Sequence, residues 1–298
     1  MSLLQTLILK PSRLVLKRYA FANLVAQILI VVTGGVVRLT GSGLGCPTWP
    51  KCTDASLVTV PEQGLHGIIE FANRSLTGIL VIIAALVFWA VLRQPKADRS
   101  GLVSPAVLVL AGIFVQAVVG GISVWVKLNP WMVALHFVLS AILISVASLM
   151  YWRTLGAEHE AVPQRAYLLS PWLVVIGALT VVIGVLVTGA GPHAGDLGTP
   201  RNGLPLELFE HLHSYPGYAF LALALVVLAT LRKAKVDSNS HAMKITVWLV
   251  VAIAAQATIG IIQARTGVPA TLVAIHMFGA SVLVSLITFQ FLAIRGKR

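Results

Sequence analysis

Three histidines, His136, His213 and His276, lie inside long apolar segments of this sequence, where an ionisable side chain is costly. Neutral imidazole is a good ligand for iron, and two imidazoles facing each other across a helix bundle hold a heme iron from both sides. His213 and His276 form the strongest pair, because each lies about six or seven residues, roughly 8–11 Å, below the same membrane boundary on different predicted helices. The alternative is a pair of structural histidines that hydrogen-bond to neighbouring helices.

The first half of the chain has a different set of polar side chains around His136. Asn73 stands where the second half has His213. Glu70 and His66 precede Asn73 by three and seven residues, so all three share one face of a helix. A buried acid beside an incomplete ligand pair favours a site for chemistry, with an open or weak coordination position. The alternative is that this half has decayed.

An internal repeat relates the two halves. A shift of 140 residues superimposes Glu70 on Glu210, Asn73 on His213, Gln116 on Gln256, Gly120 on Gly260 and His136 on His276. The first helices align at a slightly different shift, VVTGGVVRLTGSG against VVIGVLVTGAGP. Each half has an even number of helices, so both start on the same side of the membrane and a pseudo-twofold axis along the membrane normal is expected. We therefore predict one four-helix bundle in residues 1–155 and a second in residues 166–298.

The elements that must position these side chains are membrane-spanning helices. Of the 298 residues 57% are hydrophobic and 11% are charged, and the apolar residues form blocks long enough to cross a bilayer as helices. The predicted fold class is therefore all-α, a polytopic membrane protein with eight transmembrane helices. The eight segments are Tyr19–Leu39, His66–Leu92, Pro105–Val126, Trp131–Trp152, Leu169–Ala190, Leu206–Leu231, Lys244–Arg265 and Ala270–Ile294.

The net charge of +12 does not indicate a nucleic-acid partner, because the basic residues alternate between loops. The two termini and every second loop hold 16 of the 22 Lys and Arg residues, which is the pattern that orients membrane proteins with these segments in the cytoplasm. We expect a bacterial inner-membrane protein with both termini cytoplasmic, Lys10 and Arg298 among the residues facing that side. His159 and His241 are assigned to solvated cytoplasmic loops.

Cys46 and Cys52 are the two cysteines, and both lie in the first outer loop. That side of a bacterial inner membrane is oxidising, which favours a disulfide. A pair of free thiols or half of a metal site is the alternative. Arg38 and Arg74 lie near the outer ends of the first two helices, where they could pair with heme propionates or anchor the helices at the interface.

Several long segments of the sequence resemble the heme A synthase family: VTGGVVRLTGSGLGCPTWPKC, EFANRSLTG, VALHFVLS, TGAGPHAGD and AIHMFGAS. The resemblance covers nearly the whole chain in order. It implies an oxidoreductase that converts a ring methyl of heme O to a formyl group by two successive hydroxylations, giving heme A for cytochrome oxidase. It also implies a membrane setting, with heme O synthase and cytochrome oxidase assembly factors as candidate partners and a homo-oligomer left open.

The resemblance also implies roles for individual residues. His213 and His276 would be the axial ligands of a resident heme b. His136 and Glu70 would be catalytic residues of the substrate site, with His66, Asn73 and Arg74 as further substrate-binding residues. Cys46 and Cys52 would form the outer-loop disulfide of the family. Many members have His where this chain has Asn73, so a two-histidine ligand set in the first half is in doubt.

Three other functions are compatible with the same pattern. A diheme cytochrome that only transfers electrons would hold two six-coordinate hemes, and the asymmetry at Asn73 counts against it. A heme carrier would release heme O unchanged. A transporter is disfavoured because no predicted helix is broken at mid-membrane.

Overall fold

The computed structural model describes residues 11–156 and 160–295, so Lys10, His159 and Arg298 lie outside the described residues. Eight long helices account for most of the described chain. They are α1 (Arg13–Leu39), α2 (Gly64–Leu92), α3 (Val103–Trp125), α4 (Pro130–Leu155), α5 (Gln164–Ala190), α6 (Leu206–Lys233), α7 (His241–Arg265) and α8 (Ala270–Arg295). A 3₁₀ turn at Pro61–Gln63 precedes α2, and a short helical turn at Lys96–Arg99 lies between α2 and α3.

All eight helices are long and apolar enough to cross a membrane, which confirms the predicted all-α, multi-pass architecture. Several extend beyond the predicted apolar segments because polar residues at their ends make local capping bonds. The Ser12 hydroxyl accepts from the Val15 backbone N–H (3.3 Å) and starts α1 six residues before the predicted Tyr19. At the other end of the first half, Gly156 terminates α4 in the left-handed conformation (φ 61°).

The chain divides into two compact units. Of the described residues, unit 1 contains 11–156 with 195–199, and unit 2 contains 160–194 with 200–295. In unit 1 each helix packs on two neighbours, in the cyclic order α1, α2, α3, α4. Unit 2 has the same order with α5, α6, α7 and α8. The two halves therefore share one internal packing plan, while the twofold axis between them stays a prediction.

The segment 195–199 clusters with unit 1 although it lies between α5 and α6 in the sequence. The Gly43 N–H donates to the Gly195 carbonyl (2.8 Å), and a Cβ added at Gly195 would lie 3.1 Å from the Leu128 side chain. The loops at this end of unit 1 thus include a piece of chain from the second half of the sequence.

Candidate heme sites

In unit 2, His213 on α6 and His276 on α8 face each other. Their ring centroids are 6.3 Å apart with planes at 75°. One metal ion bound by two imidazole nitrogens at about 2 Å each separates the ring centroids by roughly 6 Å. The spacing of these rings therefore suits a single iron between them, as two axial ligands of a heme require.

The tautomer of His213 is set by its contact with α5. Its Nδ1 lies 2.9 Å from the Thr180 backbone carbonyl, which can only accept a hydrogen bond. Nδ1 therefore carries the proton, and Nε2 keeps its lone pair for a metal. Gly184, one turn from Thr180, makes room for the ring: a Cβ there would lie 2.7 Å from His213 Cε1. The sequence of α5 thus orients His213 by one carbonyl and one glycine.

His276 and His136 have closely similar surroundings in the two units. A Cβ added at Gly260 of α7 would lie 3.4 Å from His276 Cε1, and one added at Gly120 of α3 would lie 3.3 Å from His136 Cε1. The Nδ1 atoms of both histidines are buried and have no hydrogen-bond partner among the described residues. The repeat seen in the sequence is therefore reproduced in three dimensions at the glycine–histidine pair.

Gln116 and Gln256 occupy repeated positions in the two halves, one on α3 and one on α7. The Gln116 amide nitrogen donates to the His136 backbone carbonyl (3.0 Å) and to the Ser140 hydroxyl, joining α3 to α4 beside the candidate ligand. Gln256 of unit 2 lies against Gly279 of α8, where an added Cβ would overlap its amide. Gln116 therefore hydrogen-bonds α3 to the helix that carries His136, and Gln256 packs closely on the corresponding helix of unit 2.

Unit 1 differs from unit 2 on the side opposite His136. Asn73 stands at the position of His213, and its side-chain oxygen is buried without a hydrogen-bond partner among the described residues. Gly34 aligns with Gly184, yet a Cβ built at Gly34 meets nothing within 4 Å, whereas one at Gly184 collides with His213. The shorter side chain thus leaves open space beside α1 where the second half has an imidazole.

Glu70 and Arg74 join α2 to the loop that carries the two cysteines. Glu70 is 5% exposed; its Oε2 accepts from the Cys46 backbone N–H (2.6 Å), and its Oε1 accepts from Arg74 Nε (3.1 Å) and Nη2. Arg74 also donates to the backbone carbonyls of Cys46 (2.8 Å), Thr48 (2.8 Å) and Lys51 (3.2 Å). Both side chains therefore hydrogen-bond to the loop, and the Arg74 guanidinium points toward its carbonyls.

Cys46 and Cys52 form a disulfide, with Cα atoms 4.4 Å apart, which confirms that prediction. Trp49, inside the loop that the disulfide closes, packs on α3: a Cβ at Gly121 would overlap its indole. The Trp125 indole N–H donates to the Trp49 carbonyl (3.2 Å), and the two rings meet edge to face at 5.6 Å. The loop therefore bridges the N-terminal end of α2 and the C-terminal end of α3, beside the Gly120–His136 contact.

The remaining candidates make other contacts. His66 is exposed, and its Nδ1 is 2.9 Å from the Ser42 hydroxyl. His193 donates from Nε2 to the Val268 carbonyl (2.9 Å), joining two loops of unit 2. His211 is exposed and stacks on Tyr215. Glu210 repeats Glu70, but Ser214 stands where the first half has Arg74, so the ion pair of unit 1 is not repeated.

Two features of unit 1 were missed by the sequence analysis. The first is the anchoring of the disulfide loop by Arg74, and the second is the packing of Trp49 on Gly121. The Gly120–Gly121 pair in an otherwise apolar helix was the available signal, since adjacent glycines on different faces admit two close contacts. Spacing alone could not indicate that one of these contacts is with an indole from a distant loop.

Residues 17–214 match the family described as cytochrome oxidase assembly protein. This match covers all of α2, α3 and α4 and extends to His213. The chain belongs to the cytochrome oxidase assembly protein family. Its membership agrees with the resemblance found in the sequence motifs, and Glu70, His136 and His213 lie within the matched residues.

Curated relatives of this family member carry the name heme A synthase. The relative from Exiguobacterium sibiricum is 31% identical over 193 residues, 62% of this chain and 63% of the relative. The relative from Shewanella oneidensis is 28% identical over 199 residues, 62% of this chain and 58% of the relative. The relative from Staphylococcus epidermidis is 28% identical over 229 residues, 71% of this chain and 72% of the relative. The matches thus span less than two thirds of the first two relatives' lengths.

Proposed function

We propose that this protein is a heme A synthase, which oxidises a ring methyl of heme O to a formyl group by two successive hydroxylations. The observation that carries the proposal is the asymmetry between two similar units. Unit 2 has a facing pair, His213 and His276, at 6.3 Å, whereas unit 1 has His136, Asn73 at the position equivalent to His213, and open space at Gly34. The unit with two histidine ligands suits a cofactor that stays bound. The unit with one histidine ligand suits a substrate that must enter and leave.

His213 and His276 would hold the resident cofactor, heme b. The chemistry of the donor set fits that group: two neutral imidazoles, one with its Nε2 lone pair free because Nδ1 is bound to Thr180. When bound, a heme of this kind supplies one-electron redox chemistry. Gly184 leaves room for the His213 ring beside α5, and the Thr180 carbonyl holds the orientation of that ring. The protein's contribution here is to orient the His213 imidazole before the cofactor arrives.

In unit 1, His136 would bind the iron of heme O on one side. The Asn73 side chain is shorter than that of His213 and would not reach the iron as an imidazole does. The opposite side of the iron would therefore be open or weakly held. Gln116 fixes the backbone of His136 through its carbonyl, and Gly120 lets the imidazole lie close to α3. These contacts orient the substrate without saturating its iron, which is what exchange of substrate and product requires.

Glu70 is the acid of this site. Its carboxylate would lie near the outer edge of a porphyrin held by His136, where a fixed negative charge stabilises positive charge that develops during oxidation, or takes up a proton. Arg74 and the Cys46 N–H hold that carboxylate in place. Through Arg74 the same pair fixes the disulfide loop, so the loop would exclude water from the outer end of the site. His66 would complete the polar outer rim.

We further propose that the protein lies in a bacterial inner membrane with both termini cytoplasmic. The alternation of basic loops supports this orientation. The disulfide then faces the oxidising side. Heme O synthase, as the source of substrate, and cytochrome oxidase assembly factors, as recipients of product, are the proposed partners.

Two single variants test the division of roles. His276→Ala should lose the resident heme b, because a single imidazole remains. His136→Ala should keep heme b, measured by pyridine hemochrome, and lose heme A formation, measured in membranes supplied with heme O. Loss of heme b in His136→Ala with retention in His276→Ala would reverse the assignment of the two units. His211→Ala is the matched control, since this exposed histidine lies on the same helix as His213 and should change neither readout.

A further inference from the structure

A shallow, widely open surface cavity of about 670 Å³ lies where the short turn after α2 meets the first turns of α3. Its polar lining comes from Lys96, Arg99, Ser100 and Ser104, and its apolar lining includes Val107 and Leu108. None of these residues belongs to the histidine sites, and this end of unit 1 is opposite to the disulfide loop. The cavity therefore needs a separate explanation.

The polar part of the cavity carries positive charge without an internal counter-ion. Asp98, the acid of this turn, pairs with Arg13 and so does not neutralise Lys96 or Arg99. Lys96 is exposed and makes no ion pair among the described residues. Arg99 makes one long hydrogen bond, to the Leu92 carbonyl (3.3 Å). Two cationic side chains are thus available to an anion at the cavity mouth.

In unit 2, the position equivalent to the start of α3 binds a carboxylate. There the first turn of α7, which is equivalent to the start of α3, is capped by a carboxylate of the chain itself: Glu160 accepts from the backbone N–H groups of His241 (2.7 Å) and Ala242 (2.9 Å). The start of α3 has no side-chain cap. Ser104 is exposed, and its hydroxyl lines the cavity. An anionic group from outside the chain would fill the role that Glu160 has in unit 2.

The apolar part of the cavity determines the kind of anion. Val107 is 43% exposed and Leu108 is 54% exposed, and both lie one turn farther into the spanning segment than Ser104. Charge at the membrane boundary followed by exposed apolar surface at membrane depth matches an amphiphile. A free phosphate would use only the outer half of this surface.

We propose that this cavity binds one anionic phospholipid, with its phosphate between Lys96 and Arg99 and an acyl chain along Val107 and Leu108. The site is independent of the heme A synthase proposal. Its ligand is a lipid of the same leaflet that the basic loops face, where anionic headgroups are concentrated. A bound lipid would tie the α2–α3 connection to the membrane surface, as Glu160 ties the start of α7 in unit 2.

Native mass spectrometry of the detergent-purified protein with phosphatidylglycerol tests the site, with phosphatidylcholine of the same acyl chains as the zwitterionic control. We expect one retained phosphatidylglycerol and roughly ten-fold weaker binding or worse in Lys96→Gln/Arg99→Gln. Arg232→Gln/Lys233→Gln removes the same charge at the end of α6 and should bind as the unchanged protein does. Val107→Trp fills the apolar part without changing charge and should also weaken binding.

Three outcomes would overturn the proposal. Equal loss in the two double variants would mean diffuse attraction to basic loops. Retention of phosphatidylcholine equal to that of phosphatidylglycerol would mean that the site does not recognise the negative charge of the headgroup. Unchanged binding in Val107→Trp, together with displacement by millimolar inorganic phosphate, would identify an anion site that takes no acyl chain. Resident heme content and melting temperature, measured for each variant, establish that the fold is kept.

Discussion

Gly184→Ala is expected to release the proposed resident heme, because the new methyl group would collide with a candidate ligand, His213. The added Cβ would lie 2.7 Å from Cε1, 3.1 Å from Nδ1 and 3.4 Å from Nε2 of His213. The imidazole can only avoid the methyl group by turning, and turning breaks its hydrogen bond to the Thr180 carbonyl (2.9 Å). A ring that has turned away from this carbonyl no longer holds Nε2 where a metal needs it, so the variant should bind heme more weakly.

The size of the effect follows from two costs. Inserting a methyl group into a packed site costs about 1–3 kcal/mol, and loss of one hydrogen bond costs about 0.5–1.5 kcal/mol. Together they amount to about 1.5–4.5 kcal/mol, or roughly ten-fold to a thousand-fold in heme affinity at about 1.4 kcal/mol per factor of ten. A protein purified without added heme should therefore lose most of its heme b.

Gly260→Ala is the matched control. The added Cβ would lie 3.4 Å from His276 Cε1, which is an ordinary van der Waals contact. Because the ring does not have to move, the variant should keep its heme content within about two-fold. The assay is the ratio of pyridine hemochrome to protein, with the Soret spectrum as the measure of ligation. Full heme content and an unchanged spectrum in Gly184→Ala would refute the assignment of His213 as a ligand.

Three further predictions concern unit 1. Glu70→Ala should abolish heme A formation while heme b content stays within about two-fold, whereas Glu210→Ala should retain activity; loss of heme b in Glu70→Ala would mark the acid as purely structural. Asn73→His should restore the second imidazole and convert bound heme O to a low-spin, six-coordinate spectrum with slower turnover; an unchanged spectrum would contradict the open position. Cys46→Ser/Cys52→Ser should lower the melting temperature of the protein and reduce heme A yield without removing heme b, and unchanged heme A yield would show that the loop does not shape the site.

Much of the fold followed from composition and periodicity. An apolar segment that crosses a bilayer must satisfy its own backbone hydrogen bonds, and a helix does so. The eight helices and their order along the chain could therefore be predicted. Helix ends could not, because capping by residues such as Ser12 depends on local hydrogen bonds outside the apolar block. The assignment of 195–199 to unit 1 was also beyond sequence reasoning, since it depends on contacts between loops distant in sequence.

The candidate sites were predicted in part. The repeat located His136, His213 and His276, because a polar residue kept twice inside apolar helices is a strong signal. The repeat also identified Gly120 and Gly260 as paired positions, but their contact with the imidazoles required coordinates. The engagement of Arg74 with the disulfide loop had no counterpart in unit 2 and therefore no signal in the repeat.

Heme extraction from the purified protein, after expression with a source of heme O, is the most direct test of the proposed function. Extracted hemes would be separated by chromatography and identified by mass. The proposal predicts heme b together with heme A or its hydroxylated precursor, and it predicts their loss from the His136→Ala variant with heme b retained. Heme b alone, with heme O unchanged in the membranes, would contradict the proposal and favour an electron-transfer cytochrome.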